Sequence, residues 1–149
     1  MRLEDELKMK QFSHPFQKAM LNIGFTGNWI RQKIRPTMEG FGLTAQQYNV
    51  LRILRGRHPE AAFPGEVKAV MIDKTPDLTR LIDRLLKKEL VTRNTCAENR
   101  RKVALHITKK GLLLLEEMEP VLKAKMKDLQ KITDEEAEML SALLDKLRA

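Results

Sequence analysis

TPDLTRLIDRLLKKELVTRNTCAENRRKVALHIT, residues 75–108, carries two signals in immediate succession. On a helical wheel of about 100° per residue, Leu78, Leu81, Ile82, Leu85 and Leu86 gather on one side. Arg80, Arg84, Lys87 and Lys88 gather opposite them, with Asp77 and Asp83 at the margins. Thr75 is placed to cap this helix, Pro76 to take its first position, and Asp77 to meet the positive end of the dipole. The second half changes period. LVTRNT and KVALHIT are β-branched and apolar at alternate positions, as the two strands of a hairpin are. The tip between them holds Arg100 and Arg101, with Lys102 directly after, and adjacent cations repel unless something anionic sits there.

The flanks extend this pair of signals. EVKAVM reads as a short helix joined to the cationic one by the tight turn IDKT, so two helices and a hairpin follow one another as in a winged helix-turn-helix. Upstream, Thr44 and Gln47 form a capping box, with Leu43 as a staple before it. The loop HPEAAFPG is rich in breakers and has room for one short extended piece. Residues 12–35 read as a longer helix, capped by Ser13, with Pro15 in its first turn and Pro36 ending it. Downstream, Thr108 opens a long helix through Pro120. Thr133 and Glu136 make a second capping box ahead of Met139, Leu140, Leu143, Leu144 and Leu147.

Composition narrows the class. The 149 residues are 42% hydrophobic and 32% charged, the balance of a foldable single domain rather than a disordered chain. No apolar run approaches the roughly 18 to 20 residues of a membrane span, and the charged N-terminus lacks a signal-peptide core. The single cysteine, Cys96, excludes an internal disulfide framework and points to the cytoplasm. The net charge of +8 is uneven: residues 74–110 hold 11 basic and 4 acidic side chains, whereas residues 111–149 hold 6 basic and 9 acidic ones. A basic segment concentrated in a folded domain suits a polyanion.

Double-stranded DNA fits both halves of the opening stretch. The major groove, about 12 Å wide, admits one α-helix, and Arg suits guanine O6 and N7. The first turn of a recognition helix usually meets the base edges, which favours Thr75, Asp77, Thr79 and Arg80 over Lys87 and Lys88; Arg84 on the same cationic side and Lys74 just ahead of the helix complete the candidate set. A narrow minor groove attracts inserted Arg, a role for Arg100, Arg101 and Lys102, while Arg93 can add a phosphate contact. An amphipathic surface helix with an ordinary charged face is the plain alternative for residues 77–88.

These residues resemble the MarR family of winged helix-turn-helix regulators. The similarity runs from about Ile30 to Ala149. It is carried by IRPTMEGFGLTAQQYNVLRIL, TPDLTRLIDRLLKKELV, NRRKVALHITKKG and TDEEAEMLSALLDKL, in that order. The resemblance implies a mainly α fold with a small β-hairpin wing, and a homodimer joined by N- and C-terminal helices. It implies a palindromic operator and a small-molecule site between the dimer and DNA-binding parts. Residues 1–149 then form one domain: about 12–35 and 109–149 dimerise, with Leu112–Leu115 and Leu140–Leu147 facing the partner. About 44–108 is the winged helix-turn-helix, with the wing at 90–107. Two positions depart from the family pattern. Asn99 stands where an acid often braces the wing arginine, and Glu89 stands where glycine often follows the recognition helix, so a positive φ there would strain it.

Other chemistry has little support in the sequence. His14, His58 and His106 are far apart and lack metal-ligand spacing, and there is neither a phosphate loop nor a nucleophile elbow. No catalytic residue, metal or cofactor is expected. His14, Trp29 and Tyr48 are weak candidates for a pocket holding a small aromatic or phenolic effector. Two alternatives remain beside a DNA-binding repressor: a helical dimeric protein-interaction module, and a thiol redox sensor using Cys96, whose neighbours Arg93 and Arg100 would lower its pKa.

Overall fold

The computed structural model describes the backbone of residues 2–9, 11–96 and 99–149, and their side chains except at 96 and 99–102. The helices are α1 (Leu3–Leu7), α2 (Pro15–Gly40), α3 (Ala45–Arg57), α4 (Pro64–Val70), α5 (Leu78–Lys87), α6 (Lys109–Leu129) and α7 (Asp134–Arg148). Between α5 and α6 lie β1 (Val91–Cys96) and β2 (Asn99–Ile107), an antiparallel hairpin in register from Val91 opposite Ile107 to Thr95 opposite Val103. The expected extended piece in the breaker-rich loop is Ala62, which exchanges two 2.9 Å backbone hydrogen bonds with Leu105 and adds a third short rung.

The core is built where these elements meet. Val50, Leu51 and Leu54 of α3, Val67 of α4, and Leu81, Ile82 and Leu85 of α5 pack with Leu105 and Ile107 of β2 and with Leu115 and Met118 of α6. Full burial of each such side chain is worth about 1.5–3 kcal/mol, so this stripe fixes how α5 is rotated. Met38, near the end of α2, joins the same core.

Several local expectations are corrected. Pro36 does not end α2, which runs on to Gly40. The helix stops instead at a glycine-closed turn: Gly42 takes φ +69°, its N–H donates to the Glu39 carbonyl at 2.8 Å, and the Leu43 N–H donates to the Met38 carbonyl at 3.0 Å. Burial of Met38 and Leu43 completes that closure and outweighs the hydrogen bond lost at the proline. His14, not Ser13, caps α2, its Nδ1 accepting from the Phe16 N–H at 3.1 Å, while Ser13 donates to Gln17. Pro15 does sit in the first turn. Thr75 does not cap α5. Asp77 does, accepting from the N–H groups of Thr79 at 3.0 Å and Arg80 at 3.4 Å. A carboxylate reaches both orphan donors and carries the charge the helix N-terminus favours. The leucine run after Gly111 also turns inward: Leu115 is buried in the chain's own core, Leu112 and Leu114 pack against it, and Leu113 is exposed.

The capping boxes at Thr44 and Thr133 form as expected. At Glu89, where the sequence leaves open a positive φ with strain or a different turn, the residue has φ 61° and the left-handed turn forms. Its N–H donates to the Leu86 carbonyl and the Leu90 N–H to that of Leu85, repeating the closure seen after α2. Thr108 braces the turn, donating its hydroxyl to the Glu89 carbonyl at 2.8 Å and accepting from the Gly111 N–H at 3.0 Å. The approach is tight: a Cβ on Gly111 would fall 2.5 Å from the Leu90 carbonyl oxygen.

Four substitutions check this account by denaturation. Asp77→Ala should cost about 1 kcal/mol, while Thr75→Ala stays within about 0.5 kcal/mol. Glu89→Gly should raise the melting midpoint by a few degrees by removing left-handed strain. Gly111→Ala should destabilise by about 1–3 kcal/mol through overpacking against the Leu90 backbone.

Candidate nucleic-acid interface

With Leu78, Leu81, Ile82 and Leu85 buried, α5 presents Thr79, Arg80, Arg84 and Lys87 to solvent. The Arg80 side chain is 81% exposed and lies 3.4 Å from Asp77. Arg93 of β1 reaches back to Asp83 of α5 at 3.1 Å, which places the strand's cation against the outer side of the helix. Both ion pairs are open to water and worth about 0–1 kcal/mol, so a phosphate can displace the carboxylates. Among the described residues neither Arg84 nor Lys87 has an acidic partner.

The cationic surface continues past the end of the helix. Arg84, Lys87 and Lys88 border a groove of about 440 Å³ shared with Gly42 and Thr44, the residue that caps α3. Lys88 Nζ donates to the Gly42 carbonyl. Lys87 and Lys88 lie in the helix's last turn, where helix position alone made them poor candidates. The clue that could have raised their standing is the Gly-Leu-Thr turn before α3, which the fold brings beside them.

Ahead of α5, Lys74 and Thr75 lie on the exposed turn from α4. Asp73 organises that turn. Its carboxylate accepts from the Thr75 N–H at 3.0 Å and is held below the usual carboxylate range first by that bond, then by the Thr75 hydroxyl, with smaller help from the Gln46 amide and the Arg31 charge. The side chains of Arg100, Arg101, Lys102 and Cys96 lie outside the described residues. Their backbone belongs to β2 and β1, beside α5 in the chain's order.

The three pocket candidates are not brought together. Tyr48 lines a cavity of about 540 Å³ between α2 and α3, with Ile34, Met38, Asn49, Arg31 and Ile72. Trp29 lines a separate cavity of about 290 Å³ with Leu3 and Phe25. His14 is engaged as the α2 cap. Asn49 escaped the sequence reading altogether: it is buried, its Oδ1 accepts from the Ile72 N–H at 3.2 Å, and its Nδ2 is without a hydrogen-bond partner. Its signal was a polar residue directly before the buried Val50 and Leu51. Among the described residues, no three His, Cys, Asp or Glu side chains gather as a metal site, and no helix is long and apolar enough to cross a membrane.

Comparison with known proteins bears on the family. Residues 43–103 match the MarR family model. The crystal structure of a MarR transcription factor from Planctomyces limnophilus is 35% identical, with 91% of this chain and 98% of that one covered at a TM-score of 0.69. A mutant MarR from E. coli complexed with operator DNA shares the fold at a TM-score of 0.75 and 24% identity, covering 99% of each chain. S. aureus MepR in complex with DNA does so at a TM-score of 0.76 and 20% identity, covering 92% of this chain and 97% of its own. With that identity sustained over nearly the whole length of both chains, this protein belongs to the MarR family of winged-helix transcription regulators.

Proposed function

We propose that the protein is a homodimeric, cytoplasmic repressor that reads a palindromic operator in double-stranded DNA. The observation that carries the reading is the polarity of α5, whose apolar side is locked in the core while Thr79, Arg80, Arg84 and Lys87 face out. In the complex, α5 lies in the major groove with Thr75, Asp77, Thr79, Arg80 and Arg84 near base edges, and with Lys74 and Arg93 on phosphates. Arg100, Arg101 and Lys102 carry the wing into the adjacent minor groove. The fold shared with E. coli MarR on operator DNA and with MepR on DNA supports this arrangement.

Dimerisation is assigned to α2, α6 and α7, the regions 12–35 and 109–149. α7 buries no residue within the chain and leaves Met139, Leu140, Leu143 and Leu147 exposed. Phe16, Met20, Ile23 and Ile30 of α2 and Val121 and Met126 of α6 are exposed as well. That much apolar surface calls for a partner, and a second copy supplies matching helices. Two-fold symmetry then sets the reading heads roughly 34 Å apart.

The cavity between α2 and α3 is the seat for a small aromatic or phenolic effector. Its wall is mostly apolar, Tyr48 offers a ring, and Arg31, Arg35 and Arg52 stand at its border for an acidic group. Asn49 and Ile72 belong to the same wall and lead to the turn before α5, so a ligand that favours one placement of the turn shifts DNA affinity.

Selection of bound sequences from random DNA should return an inverted repeat with half-sites about one helical turn apart. Arg84→Ala and Arg80→Ala should each cost about 1–3 kcal/mol and relax one operator position, if that residue touches a base. Arg101→Ala should weaken binding and erase A·T preference flanking the core site. Affinity should fall steeply with salt as phosphate-bound counterions are released. Operator affinity unchanged in all three variants would remove the contact map, and insensitivity to salt would favour a protein-interaction module. Sedimentation at micromolar concentration should give a dimer.

A further inference from the structure

The turn from α4 to α5 is held in an unusual way. Ile72, Asp73, Lys74 and Thr75 are all exposed, Ile72 by 85%, so apolar packing does little to place them. Polar ties do that work. Asn49, 7% exposed on α3, accepts from the Ile72 N–H at 3.2 Å, and Asp73 accepts from the Thr75 N–H at 3.0 Å.

Asn49 is poorly explained as a stabilising core residue. Its Nδ2 is buried without a hydrogen-bond partner, a penalty an apolar side chain of similar size would avoid. What the asparagine supplies, and leucine cannot, is an acceptor aimed at one backbone N–H. That N–H lies five residues before Asp77, the cap from which α5 starts. Movement of the turn therefore moves the first turn of the helix, where base edges would be met.

We propose that Asn49 and Asp73 are positioning residues for DNA reading, Asn49 tying the turn between α4 and α5 to α3 and Asp73 holding the turn's own shape, so that the start of α5 meets the bases in register. The inference rests on the DNA-reading function above. It separates two kinds of affinity. Phosphate attraction depends on where charge lies and tolerates a shifted turn, whereas base readout does not. The pinning residues thus govern the preference for operator over random DNA.

Amide hydrogen exchange on the free protein and affinity for operator against random-sequence DNA test this together. In Asn49→Leu the Ile72 amide should lose protection. Operator affinity should fall about tenfold, the scale of one hydrogen bond, with random-sequence affinity unchanged. Asp73→Ala should remove protection at Thr75 and lower the preference for operator over random-sequence DNA about tenfold, and Asp73→Asn, which loses the same charge but keeps an acceptor, should restore that preference. Removing a negative charge by itself would raise affinity for both DNAs, so an operator-specific loss is not a charge effect. Retained protection at Ile72 and Thr75 in Asn49→Leu and Asp73→Ala would overturn the proposal, as would equal losses on both DNAs. If Asn49→Leu does not fold, the Asp73 pair decides alone. If the wild type prefers no sequence, the DNA-reading function fails, while the exchange data still show whether the turn is pinned.

Discussion

Burial of Leu81, Ile82 and Leu85 in the core that α5 shares with α3 and β1 is the constraint from which the rest of the surface follows. A helix with its inner stripe locked into a core has no freedom to rotate, so the direction of Arg80, Arg84 and Lys87 is decided by leucines rather than by the charges themselves. Non-directional burial supplies the energy, and helical periodicity converts it into a direction. The same core receives Leu105 of β2 and its bridge partner Ala62, which ties the base of the hairpin to the helices.

The junction between α5 and the hairpin shows how tightly these parts are joined. Thr108 holds three backbone groups at once: its hydroxyl serves the Glu89 carbonyl and the Gly111 N–H, and its own N–H donates to the Leu90 carbonyl at 3.0 Å. Glu89 adopts a left-handed conformation without being glycine, and Lys110, 2.8 Å from its carboxylate, holds that group below its ordinary pKa range. The exposed ion pair is too weak to drive the backbone into this state. Burial of Leu85 and Leu90 on either side of the turn does so, and the lysine only accompanies it.

What was legible in the sequence depended on how local each cause is. The capping boxes at Thr44 and Thr133 were readable because both reciprocal hydrogen bonds form within four residues. The alternation in KVALHIT and the leucine spacing of α5 were readable because burial repeats with a period. The caps of α2 and α5 were misplaced because several cappers stand side by side, Ser13 with His14 and Thr75 with Asp77, and the path of the preceding chain chooses between them. At Thr75 that choice was made by Asp73, which takes its N–H into a turn. Pro36 was misjudged because its local penalty is outweighed by Met38 and Leu43 entering a distant core. The pocket candidates are dispersed for a related reason: His14, Trp29 and Tyr48 share a chemistry but not a place, and no periodic pattern on α2 foretells which of its faces meets α3. Asn49 was invisible because its meaning resides in Ile72, 23 residues away.

The acids beside the cations clarify how such a surface can be basic without being indiscriminate. Asp77 and Asp83 each hold one arginine of the outer face, at 3.4 and 3.1 Å. These exposed pairs add about 0–1 kcal/mol, too little to explain their presence as stabilisers. They do set where each guanidinium rests before any anion arrives, and they lower the local field that would draw the helix to an arbitrary phosphate. A phosphate correctly placed can exchange with the carboxylate at small cost; one wrongly placed meets an arginine already occupied and an acid that repels it. Asp77 has a second duty at the helix N-terminus, where its charge is favoured, so it remains in place when its arginine leaves. On the DNA-reading function proposed above, discrimination on this face begins with competition inside the chain, before any base is read.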